Sequence, residues 1–234
     1  MSITRIGLRW INGLLLSLTA RLPRPAFYDI ETTCPELLQV TAAFPAIRQE
    51  ALALVGERDR LPAYHDLDRA QNRIASSTPQ RWSVFFLDLF GFQVDKNRSR
   101  CPKTCEAIHG VPNLLQAFFS ILDASKSIPE HKGPYLGYLR YHLGLVVPRD
   151  KPPSITVNGE TYVWKEGDAI LFDDGYPHRV DNESSEVRVV LIIDIRRPMP
   201  FVPDLVNRIV TDFFARWTYG YGIYRRIAAE QAVA

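Results

Sequence analysis

Between Gly137 and Ile195 the chain leaves almost no room for a helix, and this stretch constrains the fold more than any other. In GYLRYHLGLVV, Leu139, Tyr141, Leu143 and Leu145 fall on one side of an extended chain, while Arg140 and His142 fall on the other. ITVNGETYVW reads as a hairpin that turns at Asn158-Gly159, a two-residue pair suited to a tight turn. KEG turns the chain again into DAILFDD, and VRVVLIIDI is apolar enough for a buried final strand. Short strands joined by tight turns predict a mainly β protein with flanking helices, a sandwich or jelly roll. Upstream, RWSVFFLDLFGF predicts a strand, and PKTCEAIHG a short helix ending before Pro112. Glu36 to about Leu61 predicts a helix interrupted near Pro45.

At 234 residues and 46% hydrophobic content, the chain can bury one sizeable core. Its charge is +2 overall but uneven. Residues 1–26 hold four arginines and no acid, residues 196–234 carry +3, and the middle carries −5. Cys34, Cys101 and Cys105 make no disulfide framework, and CPKTC is one residue too long for a CxxC pair, so reduced thiols are expected.

Three regions follow: a basic amphipathic segment over 1–26, a β domain with a helical cover over 27–200, and an amphipathic helix over 201–234. The uncharged run Trp10–Ala20 is too short to span a bilayer, which takes about 20 apolar residues. It suits either a helix on a membrane surface or one packed on the domain. Near the C-terminus, Val206, Val210, Phe213, Phe214 and Trp217 recur at helical spacing, followed by Tyr219, Tyr221, Tyr224, Arg225 and Arg226. That aromatic and cationic mixture fits a headgroup layer, or equally a helix folded back on its own body. No nucleic-acid partner is expected.

Of five histidines, His65 and His109 lie in the loop-rich first half and read as ordinary polar residues. His131 and His178 sit at opposite ends of the strand-rich region. In a jelly roll such strand ends meet at one mouth, where two imidazoles could take a divalent first-row metal. Open coordination positions would mark iron chemistry rather than structural zinc. Arg188, in the last strand, requires an anion if buried. A dicarboxylate co-substrate chelating the metal would supply it, and so would Asp173, Asp174 or Asp194.

The segments PEHKGPYLGYLRYHLGLVVP, WKEGDAILFDDGYPHRVDN and VRVVLIIDI closely resemble the aspartyl/asparaginyl β-hydroxylase family. Within that family the pattern is most similar to the bacterial branch that includes lipid A hydroxylases. The resemblance implies an iron(II)- and 2-oxoglutarate-dependent dioxygenase, using O2, on a double-stranded β-helix (a jelly-roll, cupin-like barrel). In this family an HxG element, here His131-Lys132-Gly133, replaces the HxD of other such oxygenases. It implies His131 and His178 as iron ligands, with Ser120, Arg140, His142 and Arg188 contacting 2-oxoglutarate. To these we add Asp174, which could hold a metal-bound water in place of the missing acid.

Two substrate classes compete: C2 of an acyl chain on lipid A or a related membrane lipid, and the β-carbon of Asp or Asn in a peptide, protein or free amino acid. The basic, aromatic ends favour the lipid. A non-catalytic barrel-type binding module is a further alternative, because a fold alone licenses no chemistry. Halogenation by a halide in the vacant position is another. On the lipid reading the protein lies at the cytoplasmic face of the inner membrane, peripherally; otherwise it is cytoplasmic.

Overall fold

A computed structural model describes residues 5–233. Among them are strands β1 (Phe27–Tyr28), β2 (Trp82–Leu89), β3 (Phe92–Gln93), β4 (Leu114–Leu122), β5 (Ile128–His131) and β6 (Tyr138–Val146). They continue as β7 (Ser154–Val157), β8 (Glu160–Val163), β9 (Ala169–Phe172), β10 (His178–Asp181) and β11 (Arg188–Arg196). The larger sheet runs β1-β9-β6-β11-β4-β2-β3 and the smaller β5-β10-β7-β8, and every pair is antiparallel. Two such sheets, wound by one chain and facing each other, make the expected double-stranded β-helix.

The alternation in β6 decides what each face of the large sheet meets. Leu139, Tyr141, Leu143 and Leu145 pack outward against Leu37, Val40, Ile47, Ala51 and Leu54 of the helical cover. The opposite face turns inward, where Phe86, Phe118, Phe172 and Ile192 meet Ile155, Val157 and Val180 of the small sheet. Each such side chain contributes about 1.5–3 kcal/mol on leaving water. Asn158 (φ 50°) and Gly159 (φ 87°) turn the β7–β8 hairpin with both residues left-handed, as the Asn-Gly pair requires.

The helices are α1 (Arg5–Leu18), α2 (Ile30–Thr33), α3 (Leu37–Ala42), α4 (Phe44–Val55), α5 (Tyr64–Leu67), α6 (Asn72–Ala75), α7 (Asp95–Arg98), α8 (Pro102–His109), α9 (Phe201–Ile209) and α10 (Tyr221–Val233). The interruption expected near Pro45 is present, at Ala43 between α3 and α4, and Pro45 follows it. Pro45 sits in the first turn of α4, where no intrahelical N–H is needed, and the helix ends at Val55 rather than near Leu61. Glu50 of α4 accepts from the backbone N–H groups of Lys103 (2.8 Å) and Thr104 (2.9 Å), capping α8 from outside it.

The C-terminal region is not one regular helix. Val210–Gly220 winds more widely, and the Tyr221 N–H donates to the Arg216 carbonyl. Beyond it the chain folds back: Ile223 and Ile227 enter the inner core, the Tyr219 hydroxyl donates to Asp68, and Arg226 Nε donates to the Leu67 carbonyl. The preceding turns keep Leu205, Ile209, Phe213 and Trp217 exposed. The segment from Tyr219 onward thus folds back on its own body, as one of the two readings expected. No helix among the described residues is long and apolar enough to cross a membrane.

Candidate active site

β5 and β10 are neighbours in the small sheet, and their register pairs His131 with His178. The ring centroids are 4.1 Å apart. Each Nδ1 lies 2.9 Å from a backbone carbonyl two residues earlier, that of Pro129 for His131 and of Tyr176 for His178. A carbonyl only accepts, so each Nδ1 carries the proton and each Nε2 keeps its lone pair. Metal-binding histidines are oriented in this way by their second nitrogen. Burial, and after it the neighbouring His178, pulls His131 down to about 4, so the ring is a neutral donor at neutral pH.

The position two residues after His131 cannot hold a side chain. A Cβ on Gly133 would land on the carboxylate of Asp174 and the hydroxyl of Tyr138. Asp174 therefore fills the space that an acid at position 133 would need. It is held from several sides. Tyr138 donates to Oδ2, Arg140 Nη1 lies 2.8 Å from Oδ1, and the Gly133 N–H donates to the Asp174 carbonyl at 2.8 Å. Oδ1 takes no aligned hydrogen bond and sits 3.4 Å from His178 Nε2, which leaves it acceptor capacity on the histidine side. Burial raises its carboxyl, but Arg140, His178 and Tyr138 together outweigh that and hold it below the usual range. Among the described residues no three His, Cys, Asp or Glu side chains converge as a metal cluster. What is present is two imidazole donors with an ionised carboxylate one step behind them.

Further along the inner face the site becomes cationic. Arg188 is 1% exposed, its Nε has no partner among the described residues, and its guanidinium lies 4.1 Å over the ring of Trp164. Burial pulls it down to about 9. His142 stacks on Trp164 with both ring nitrogens unpartnered. Burial, then Arg188 and Arg140, hold it well below its ordinary value. Ser120, on β4 opposite Val190 of β11, accepts from Trp82 Nε1 at 2.9 Å.

Nearby carboxylates are committed elsewhere. Arg140 binds Asp194 through two bonds of 2.7 and 2.8 Å and contacts Asp174, while Asp173 pairs with Arg24 (2.5 Å) and Arg197 (2.7 Å). The internal ion pair left open in the sequence thus falls on Arg140 and not on Arg188. Asp174 and Asp194 hold Arg140 between the histidine end and the arginine end. His131, His178 and Asp174 come together, as do Arg188 and His142 across Trp164. Ser120 lies on the same inner face. His65 sits apart, exposed beside Asp66.

Tyr138, Trp82 and Trp164 join the site without having been singled out in the sequence, and Asp194, expected as a possible partner of Arg188, pairs with Arg140 instead. Inward alternation from Arg140 would have found Tyr138, two residues before it on β6. Nothing local marks the two tryptophans.

The buried neutral histidines carry a pH signature. Both His131 and His142 have depressed values in the fold, so the unfolded chain binds their protons more readily. Metal-free protein should keep full stability above about pH 6.5 and lose about 1.4 kcal/mol per pH unit per histidine below it. For His131 the loss runs down to about pH 4. Urea denaturation between pH 7.5 and 5 measures this slope, and His142→Gln should reduce it by about half.

Two antiparallel sheets wound as a double-stranded β-helix enclose paired histidines at one end of the interior and, further in, a buried arginine with no carboxylate partner among the described residues. The chain belongs to the Aspartyl/Asparaginyl beta-hydroxylase family, whose sequence profile matches residues 41–198. It is 37% identical over 199 residues to the ornithine lipid ester-linked acyl 2-hydroxylase of Rhizobium tropici, covering 85% of this chain and 69% of that one. It is 33% identical over 122 residues to human aspartyl/asparaginyl beta-hydroxylase, covering 50% of this chain but 16% of the human one. A cupin domain of a transcriptional regulator from Enterobacter cloacae aligns with 50% of the chain at 14% identity and a TM-score of 0.35. The fold assignment rests on the strand order itself.

Proposed function

We propose that the protein is an iron(II)- and 2-oxoglutarate-dependent dioxygenase that hydroxylates C2 of a fatty acyl chain on a membrane lipid, either lipid A or a related aminolipid. The observation that carries the reaction class is Arg188, a buried guanidinium without an anion, in the same barrel as two histidines with free Nε2 lone pairs. A dianionic co-substrate satisfies the arginine at one end and reaches a metal at the other. His131 and His178 would hold the iron, and Arg188 the distal carboxylate, with His142 and Ser120 beside it and Arg140 braced between the two ends. When bound, iron and 2-oxoglutarate supply the activation of O2 and the two electrons that oxidation of a C–H bond leaves outstanding. The chain's own part is to orient one C–H and exclude water. Asp174 Oδ1 is placed to accept a hydrogen bond from a water within the site.

The lipid substrate is supported by the similarity to the ornithine-lipid enzyme over most of both chains. An apolar cleft of about 400 Å³ also fits it. Leu15, Leu22, Leu136 and Met199 wall the cleft, and Arg24 and Arg197 stand at its edge. Leu136 abuts Gly175, the residue after Asp174, so the cleft adjoins the site. On this reading the protein works at the cytoplasmic face of the inner membrane, peripherally, where 2-oxoglutarate is available. The similarity to the human enzyme favours a second reading, an Asp or Asn side chain in a peptide.

Mass spectrometry of total membrane lipids from cells with and without the gene separates the two. One added oxygen on an acyl chain supports the lipid. Unchanged lipids, with an added oxygen on an Asp or Asn side chain, overturn it. Asp174→Asn should keep metal binding within a few-fold and lower turnover about 10–100-fold, the usual cost of removing an outer partner of a metal site. Metal titration beside steady-state turnover checks both parts.

A further inference from the structure

α1 has two working faces. Its inner face packs Leu8, Ile11 and Leu15 into a cluster with Tyr135, Tyr138, Val206 and Val210. Its outer face leaves Trp10, at 78%, and Leu14 exposed. On the neighbouring α9, Leu205 and Ile209 are also exposed, and Phe213 and Trp217 are exposed in the wider turns that follow it. Arg9 and Arg21 are exposed on the same segment as Trp10 and carry no ion pair among the described residues. An apolar face set with tryptophans and unpaired arginines suits the interface of an anionic bilayer, and no helix here is able to cross one.

The inner face of the same helix reaches the active site. Asn12 Nδ2 donates to the Pro134 carbonyl, and its Oδ1 accepts from the Leu136 N–H, both at 3.0 Å. These two bonds clamp the loop that leads from His131 and Gly133 into β6. Gly133 in turn donates to the Asp174 carbonyl, Leu136 abuts Gly175, and Tyr138 beside Leu15 holds the Asp174 carboxylate. A short amphipathic helix owes its stability to what its faces pack against. Lipid on the outer face of α1 adds ordering free energy to the docked state, which includes the Asn12 clamp.

We propose that α1 docks on an anionic lipid surface and that Asn12 couples this docking to the order of the loop carrying His131 and Gly133. Asn12 is a positioning residue in this scheme. The inference rests on the lipid-substrate reading, because a switch of this kind is useful only where the substrate lies in the membrane.

The test is amide hydrogen exchange on the full chain, with and without vesicles of phosphatidylethanolamine and phosphatidylglycerol. Binding is followed by cosedimentation and by the emission of the exposed Trp10 and Trp217. Vesicles should blue-shift the emission and slow exchange at Gly133 several-fold. Asn12→Ala should still bind vesicles but lose that slowing, and Asn12→Asp, which keeps the acceptor for Leu136, should fall between. Trp10→Asp should lose vesicle binding and keep the exchange pattern of the free protein. Equal slowing in wild type and Asn12→Ala overturns the coupling. Absence of vesicle binding overturns the docking, and concentration-dependent self-association in its place would assign this face to a second copy of the chain. Exchange needs no turnover, so the coupling is read separately from the substrate, which the extracted lipids report.

Discussion

Arg188→Met should melt at a higher temperature than the wild type in the absence of ligand, and should no longer respond to 2-oxoglutarate. The wild-type guanidinium is enclosed, finds no carboxylate among the described residues, and lies over the face of Trp164. Replacing buried ionic groups with well-packed apolar ones is often stabilising by about 1–4 kcal/mol. The lost cation–π contact returns up to about 2 kcal/mol of that. From the middle of that range a net gain of about 0.5–2 kcal/mol remains, readable as a rise of a degree or more in thermal melts. Binding moves the other way. Losing a buried charge partner for a carboxylate costs about 3–5 kcal/mol, or at least a 100-fold rise in the 2-oxoglutarate requirement. A variant that is less stable than wild type and still saturates normally with 2-oxoglutarate would remove Arg188 from the co-substrate site.

The second large effect concerns the residue that is not an acid. Gly133→Asp restores the HxD pattern on paper, yet it should lower activity at least 100-fold, and Gly133→Ala should do much the same. The obstacle is spatial. Any Cβ at 133 enters volume already filled by the Asp174 carboxylate and the Tyr138 hydroxyl, and Asp174 cannot withdraw because Tyr138 and Arg140 grip it. An aspartate adds a second buried negative charge to this steric conflict. The double variant Gly133→Asp with Asp174→Gly frees the space and should regain part of the metal affinity that the single change loses. His131→Ala and His178→Ala set the floor, with metal binding lost outright. Metal titrations of all five proteins decide the matter, and a Gly133→Asp single variant with full activity would sink the steric account.

How legible these features are in the sequence follows from how locally each is encoded. The period of two in β6 foretells which residues meet the helical cover and which face the barrel. The Asn158-Gly159 turn is a local rule, and it appears where the pair predicts it. His131 and His178 stand out because polar rings at strand ends are conspicuous in an apolar region. Trp164 and Trp82 do not stand out, since a tryptophan in a barrel strand reads as core until its neighbour proves to be a lone guanidinium or a serine hydroxyl. The role of Asp194 is equally hidden. Its partner Arg140 sits opposite it only through the β6–β11 register, which no short window of sequence contains. The wide winding of Val210–Gly220 escapes for a similar reason. Its apolar spacing is helical in either geometry, and only the return of Ile223 and Ile227 to the core shows how the chain is redirected.

The large sheet also separates sulfur from oxygen. Cys34 and Cys101 are buried in the outer core, on the far side of the sheet from the paired histidines, and Cys105 packs against the same cluster. Burial raises the Cys34 thiol to about 11 and the Cys101 thiol to about 12, so almost none of either is thiolate, the form that oxidants attack. On the dioxygenase reading proposed above, the oxidisable thiols lie behind a wall of β-structure, protonated and out of line with the chemistry. Such an arrangement would be a form of self-protection, because oxidant leaving the interior would meet aromatic and aliphatic side chains before a cysteine.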